Sequence, residues 1–272
     1  MIFPFLLILG VALLGFALRS FQHPILQKLG ALAILTTSFL IGWFLTGYLS
    51  AGIACSLSWF LFPWLEILTR IRKLRLPLNK NLRHKSPPAR DHFPWLDDLT
   101  AEIEEEGFLH ADDTGWDWEN YQQFFRLFYK ESDRSQSAIC LIDQETVTFY
   151  YLSISSRAKD GTIWTTWNYP FSHSLKMAPL FRINRVRGNQ TFVQLHESHQ
   201  AFLFRHQVCT EQLEALNPDD IPMDIQKDLQ AQIAHNLTKG VLTPAGEGHI
   251  RYSWWGLFYI WFQFLRDLVR FS

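Results

Sequence analysis

The stretch LGALAILTTSFLIGWFLTGYLSAGIACSLSWFLFPWL, residues 29–65, holds 37 residues without a charged side chain, and Glu66 then opens a segment with eight lysines and arginines and no further acid before Asp91. As one helix the run would be roughly 55 Å long at about 1.5 Å per residue, far beyond the roughly 30 Å hydrocarbon core of a bilayer. It therefore reads as two spans. Thr46-Gly47-Tyr48-Leu49-Ser50-Ala51-Gly52, two glycines around small and polar residues, marks the break and leaves spans at about 29–46 and 51–68.

Upstream, Ile2 to Leu18 is a third apolar stretch of 17 residues, with Pro4 near its start. A cleaved signal peptide would begin with a positive segment, whereas here the first basic side chain, Arg19, follows the apolar run. A first span at about 2–18 is the better reading. Basic residues near span ends stay on the cytoplasmic side. With three spans, Arg19 and Lys28 fall on the same side as Arg70, Arg72, Lys73, Arg75, Lys80, Arg83, Lys85 and Arg90. Two spans would set these groups in conflict. The expected topology is multi-pass, N-terminus outside and C-terminal domain in the cytoplasm. Trp64, with Arg70, Arg72, Lys73 and Arg75, forms the expected membrane-interface set, and Trp59 and Trp64 fit an aromatic belt.

Downstream, the whole-chain formal charge of −1 hides an asymmetry: residues 91–272 carry 25 acidic against 15 basic side chains, a net of −10. Such a domain is repelled from nucleic acid and anionic headgroups, so the basic segment, rather than the domain, faces the membrane lipid. The expected organisation is a transmembrane anchor over 1–69, a basic, proline-containing linker over 70–94 and a cytoplasmic α+β domain over 95–272. Cys55, Cys140 and Cys209 form no CxxC pair, in keeping with a reducing compartment.

Within the domain, Asp97 or Asp98 caps a short helix with Leu99 and Ile103 inward and Gly107 as its stop. Four runs of strand length follow, Gln123–Tyr129, Ser137–Ile142, Thr146–Ser155 and Thr162–Tyr169, with turns at Asp143-Gln144-Glu145 and Lys159-Asp160-Gly161. They read as an antiparallel meander, although the spacing of Gln122 to Tyr129 also suits a helix. The spacing predicts helices over Thr191–Val208, with His199, His206 and Cys209 on the apolar stripe, and over Ile221–Lys239, capped by Asp220 and stopped by Gly240. A small hairpin is expected from Val241 to Tyr252. The aromatic C-terminal helix, about 253–271, has apolar residues on every face from Trp254 to Leu265 and needs burial in the domain core, in the headgroup region or against a partner.

No catalytic, cofactor or metal residue stands out. His196 with His199, or His206 with Cys209, has a spacing that could share an ion, but each pair lacks two ligands and no HExxH is present. Asp112-Asp113 and Asp117-Trp118-Glu119 offer paired carboxylates beside Trp116 and Trp118, of the type glycoside hydrolysis uses, and an acidic turn explains them more simply. Trp164, Trp167, Tyr169 and Phe171 could stack a flat ligand, although aromatics on a sheet more often pack as core. There is no Gly-rich phosphate loop and no GxSxG elbow.

The runs PWLEILTRIRKLRLP (63–77), QQFFRLFY (122–129), DGTIWTTWNYPF (160–171) and RYSWWGLFYIWFQFLRD (251–267) resemble those of an uncharacterised family of bacterial membrane-anchored proteins. The resemblance covers most of the chain. It implies a bacterial inner-membrane setting and carries over no functional residue. The expected function is a membrane-tethered interaction or scaffold module, not an enzyme, that contacts membrane lipid and a protein partner or second copy and no nucleic acid. The rival is a membrane-bound enzyme, a hydrolase acting on lipid or envelope precursors, with Asp113, Asp117, His196 and His199 as its candidate groups.

Overall fold

The computed structural model describes residues 2–21, 23–119, 121–144, 147–171, 173–186, 188 and 190–270. Glu145 and Thr146, assigned above to a turn and a strand start, and Phe271, the expected end of the last helix, lie outside them. The chain is α+β, with three N-terminal apolar helices and a sheet-rich domain. It forms two compact units, one of Met1–Leu74, Ser172–Ser174 and Arg251–Ser272, the other of Arg75–Phe171 and Leu175–Ile250.

The first unit opens with α1 (Ile2–Ser20), α2 (Pro24–Thr46) and α3 (Leu49–Thr69), each long and apolar enough to cross a membrane. The break between α2 and α3 is tighter than expected. Gly47 alone takes a left-handed φ of 75°, and its N–H closes on Trp43 O at 2.7 Å. Gly52, expected in that turn, lies inside α3 instead: a Cβ there would sit 2.8 Å from Phe39 O. Gly42 likewise faces Ala51 O, and Gly30 faces Gly15 O. Between α2 and α3, Ser56 Oγ donates to Leu35 O at 3.0 Å and Trp59 Nε1 to Ser38 Oγ at 2.8 Å. Close backbone approach at small residues and interhelical hydrogen bonds are the forces that join helices where the surroundings are as apolar as the side chains.

In the second unit, the segment read as a linker supplies β1 (Leu76–Pro77) and β2 (Arg83–His84). Then come α4 (Leu96–Glu105), β3 (Leu109–Trp118), β4 (Tyr121–Lys130), β5 (Ser135–Gln144), β6 (Val147–Arg157), β7 (Ile163–Trp167), β8 (Phe181–Arg185), α5 (Phe192–Arg205), α6 (Ile221–Thr238), β9 (Leu242–Pro244) and β10 (His249–Tyr252). Among the described residues β2 to β8 form one sheet in sequential order, antiparallel except that β8 runs parallel to β7. The expected hairpin β9–β10 gains β1 as a third strand, with Leu76 opposite Ile250 and Pro77 opposite His249. The strands that enter and leave this unit are thus zipped together.

Side chains of a strand alternate between faces, and here both faces are covered. Phe124, Phe128, Ile139, Leu141, Leu152 and Ile154 pack under Leu96 and Ile103 of α4 and Phe192 and Leu195 of α5. Phe125, Leu127, Cys140, Ile142 and Tyr151 face Ile221 and Ile225 of α6. Burial on both sides explains why Phe124, Phe125, Leu127 and Phe128 of β4, whose spacing equally suits a helix, do not alternate with polar residues.

Several expectations are corrected. Asp112, Asp113, Asp117 and Trp118, read as part of an acidic turn, lie within strand β3, and Glu119 of that set follows in the turn after it. Asp97 and Asp98 sit in the first turn of α4 rather than capping it, with Trp95 at the cap position. Asp220 occupies the expected cap position of α6, but its carboxylate accepts from Asn217 Nδ2 at 2.8 Å and makes no capping hydrogen bond. Helix α5 has its capping box at Thr191 and Gln194 but ends at Arg205, so His206 and Cys209 lie beyond it and are exposed. The C-terminal helix α7 (Trp254–Arg270) belongs to the unit of α1–α3 and not to the sheet unit.

Candidate functional site

Two of the interface residues read from the sequence, Trp64 in α3 and Arg72 just after it, meet α7. Trp64 has its ring 5.0 Å from Phe258, edge to face, and 6.0 Å from Trp261. The Arg72 guanidinium lies over Trp254, 4.5 Å from the ring centroid. Trp261 Nε1 donates to Phe60 O at 2.8 Å. Pro63 sits inside α3, and its missing N–H leaves Trp59 O, one residue before Phe60, without its helical donor. Arg70 reaches Glu66 at 3.4 Å, an exposed pair of small energetic weight, and Lys73 is exposed. Arg75 is exposed too, and its carbonyl accepts from Trp118 Nε1 at 3.0 Å.

The all-round apolarity of α7 now has a geometric basis. Gly256, Leu257, Ile260 and Gln263 are buried on one side, and α7 packs against α3 and α2. Trp255, Phe258 and Phe262 form a second stripe, 57%, 50% and 58% exposed.

The carboxylates and histidines weighed for catalysis fall into separate sets. Asp113, buried on β3, receives Arg126 Nε at 2.9 Å and Nη2 at 2.8 Å from the facing residue of β4, with His110 Nε2 at 3.1 Å. Burial pushes the Asp113 carboxyl up, but the hydrogen bonds from Arg126 and His110 outweigh it and hold it below the usual carboxylate range. Arg126 Nη1 also reaches Thr100 on α4. Asp112 meets His84 at 3.1 Å and Asp117 meets Lys85 at 2.5 Å, both at the exposed rim.

His196 lies elsewhere, between Glu106 at 3.1 Å and Asp133 at 2.9 Å. His199 is fully buried, its Nε2 3.1 Å from Ser156 Oγ and its Nδ1 3.0 Å from Thr166 Oγ1. Its burial pushes its pKa down to about 3, so the ring is neutral and structural. His206 packs beside Trp164, 5.0 Å between ring centres. Among the described residues no group of three or more His, Cys, Asp or Glu is placed to hold a metal ion.

The aromatic set divides as well. Trp164 turns to α5, 5.3 Å from Phe202, while Trp167, Tyr169 and Phe171 turn to the α6 face, where Tyr169 lies 5.0 Å from Tyr151 and Phe171 5.0 Å from Phe149. Beside them Lys80 Nζ stands 4.6 Å from the Trp116 ring centre, and burial pushes its pKa down to about 8. No sequence signal singled out Lys80, one of eight basic residues in the segment. The partner of the interface set was also missed, although Phe258 and Trp261 stand one helical turn apart and so share a side of α7. No family model, curated protein or solved structure matches this chain.

Proposed function

We propose that α1, α2 and α3 span a bacterial inner membrane with the N-terminus outside, and that they tether the sheet unit in the cytoplasm as an interaction module for a protein partner or a second copy of the chain. The observation that carries this reading is the belt at the end of α3, where Arg72 covers Trp254 and Trp64 meets Phe258 and Trp261. Tryptophan and arginine together are favoured at headgroup level, where an amphipathic ring keeps one side apolar and a guanidinium reaches phosphate. Trp64, Arg70, Arg72, Lys73 and Arg75 are the lipid-facing interface set.

An interaction role is supported over a hydrolytic one by the use already made of the reactive side chains. Asp113 is committed to Arg126, His199 to two hydroxyls, and His196 to two carboxylates that lie apart from Asp113. The acid surplus of the sheet unit favours a basic protein surface as partner and disfavours nucleic acid.

Cross-linking in native membranes tests the function. The expected result is a reproducible adduct, to an identified protein or to a second copy, that disappears when exposed acids such as Glu104 and Glu105 are replaced by lysine. A chain that stays un-cross-linked and runs as a monomer after mild extraction contradicts an interaction role.

A further inference from the structure

The helix α7 leaves an apolar stripe uncovered, and its surroundings identify what covers it. Its partners on α3 and the turn that follows it occur in reverse order along the chain: Trp254 with Arg72, Phe258 with Trp64, Trp261 with Trp64 and Phe60. The helix therefore starts at the charged end of α3 and runs back beside its apolar part. Phe60 lies nine residues before the last residue of α3, about 14 Å at about 1.5 Å per residue, a little under half of the roughly 30 Å hydrocarbon thickness.

The exposed stripe of α7 is continuous in character with exposed Leu61, Phe62 and Leu65 of α3. Along the helix it is also bounded. Trp255, Phe258, Phe262 and Arg266 follow at three- and four-residue steps on one face, so the apolar stripe ends at an arginine about one turn past Phe262. At the other end stands Arg72. The apolar stripe from Trp255 to Phe262 is roughly 10 Å long and too short to cross a bilayer.

Resting on the three-span reading above, we propose that α7 is a fourth membrane element, embedded obliquely in the cytoplasmic leaflet beside α3 and α2, with phospholipid acyl chains covering Trp255, Phe258 and Phe262. The sheet unit is then attached to the membrane at both of its chain ends. The β1–β10 pairing, Leu76 opposite Ile250, keeps those ends side by side, and Arg72 on Trp254 does the same four residues further out on each strand's chain.

The test uses the full-length chain in native membranes, with the photoreactive p-benzoyl-L-phenylalanine placed singly at positions 258 and 262, at Leu61 as a lipid-facing reference on α3 and at exposed Glu105 as a water-facing reference. After illumination, mass spectrometry reads phospholipid adducts. Adduct yields at 258 and 262 within about twofold of Leu61, and at least about tenfold above Glu105, are expected for an interfacial helix. A lipid adduct at Leu61 with none at 258 and 262, or with protein adducts there instead, overturns the leaflet position of α7 and leaves the three spans intact. Absence of lipid adducts at Leu61 as well overturns the membrane reading on which the proposal rests.

Discussion

Arg72 and Trp254, 182 positions apart in sequence, are held face to face with 4.5 Å between the guanidinium carbon and the ring centroid. The contact joins the end of the N-terminal helical run to the first residue of the last helix. A cation over an indole face gains from the ring quadrupole, and at an exposed ring the gain is about 0.5–1 kcal/mol. A double-mutant cycle with Arg72→Ala and Trp254→Ala, read by thermal unfolding of the full-length protein in detergent, is expected to return a coupling of about that size. Additive effects would show that the contact does not hold α7.

The Asp113–Arg126 pair is buried and doubly hydrogen-bonded. Arg126→Ala strands a carboxylate in the interior and is expected to destabilise the sheet unit by about 3–5 kcal/mol. Replacing both partners, Asp113→Leu with Arg126→Met, removes the stranded charge and is expected to recover most of the loss. Chemical denaturation followed by tryptophan fluorescence compares the two.

His199 gives the sheet unit a pH dependence with a definite sign. Its folded pKa, about 3, lies below the ordinary value of 6.5, so the unfolded chain binds the extra proton first as pH falls. Stability associated with the neutral ring is complete above pH 6.5 and is lost progressively between about 6.5 and 3. His199→Gln keeps hydrogen-bonding capacity without that titration. It is expected to flatten the fall in unfolding temperature between about pH 7 and 4.5, beside a wild-type loss of a few kcal/mol at the low end.

The glycines of the helical unit separate by position. Gly42→Ala places a Cβ 2.6 Å from Ala51 O and is expected to cost about 1–3 kcal/mol of helix packing. Gly10 meets nothing within 4 Å, and Gly10→Ala is expected to be neutral or stabilising by about 0.5–1 kcal/mol. Thermal stability of the two variants in one detergent makes the comparison.

What the sequence discloses follows the range of the forces involved. The strands β5 to β7 are legible because β-branched and aromatic residues repeat locally and Asp160-Gly161 marks a turn between β6 and β7, whereas the spacing in β4 suits strand and helix alike. Strand β3 is not legible, since Asp112, Asp113, Thr114 and Gly115 are poor strand formers. Asp113 is stabilised by Arg126 on the neighbouring strand, and Gly115 is required because a Cβ would strike Gln123 O. Strand β8 depends on parallel pairing with β7, which no local pattern encodes. The apolar helices and the basic residues after them were visible as composition, whereas the seat of α7 rests on contacts such as Trp261 to Phe60, 201 residues apart. The same holds for the dispersal of Asp113, His196 and His199 into separate sets.

Cysteine labelling in intact cells tests the proposed topology most directly, and the chain carries its own reporter in exposed Cys209 on the sheet unit, while Cys140 is buried. A membrane-impermeant maleimide is expected to leave Cys209 unmodified until the cells are permeabilised, and to modify a cysteine placed by Tyr48→Cys, in the turn between α2 and α3, without permeabilisation. Labelling of Cys209 in intact cells, with the cysteine at position 48 protected, would contradict a cytoplasmic sheet unit held by three spans.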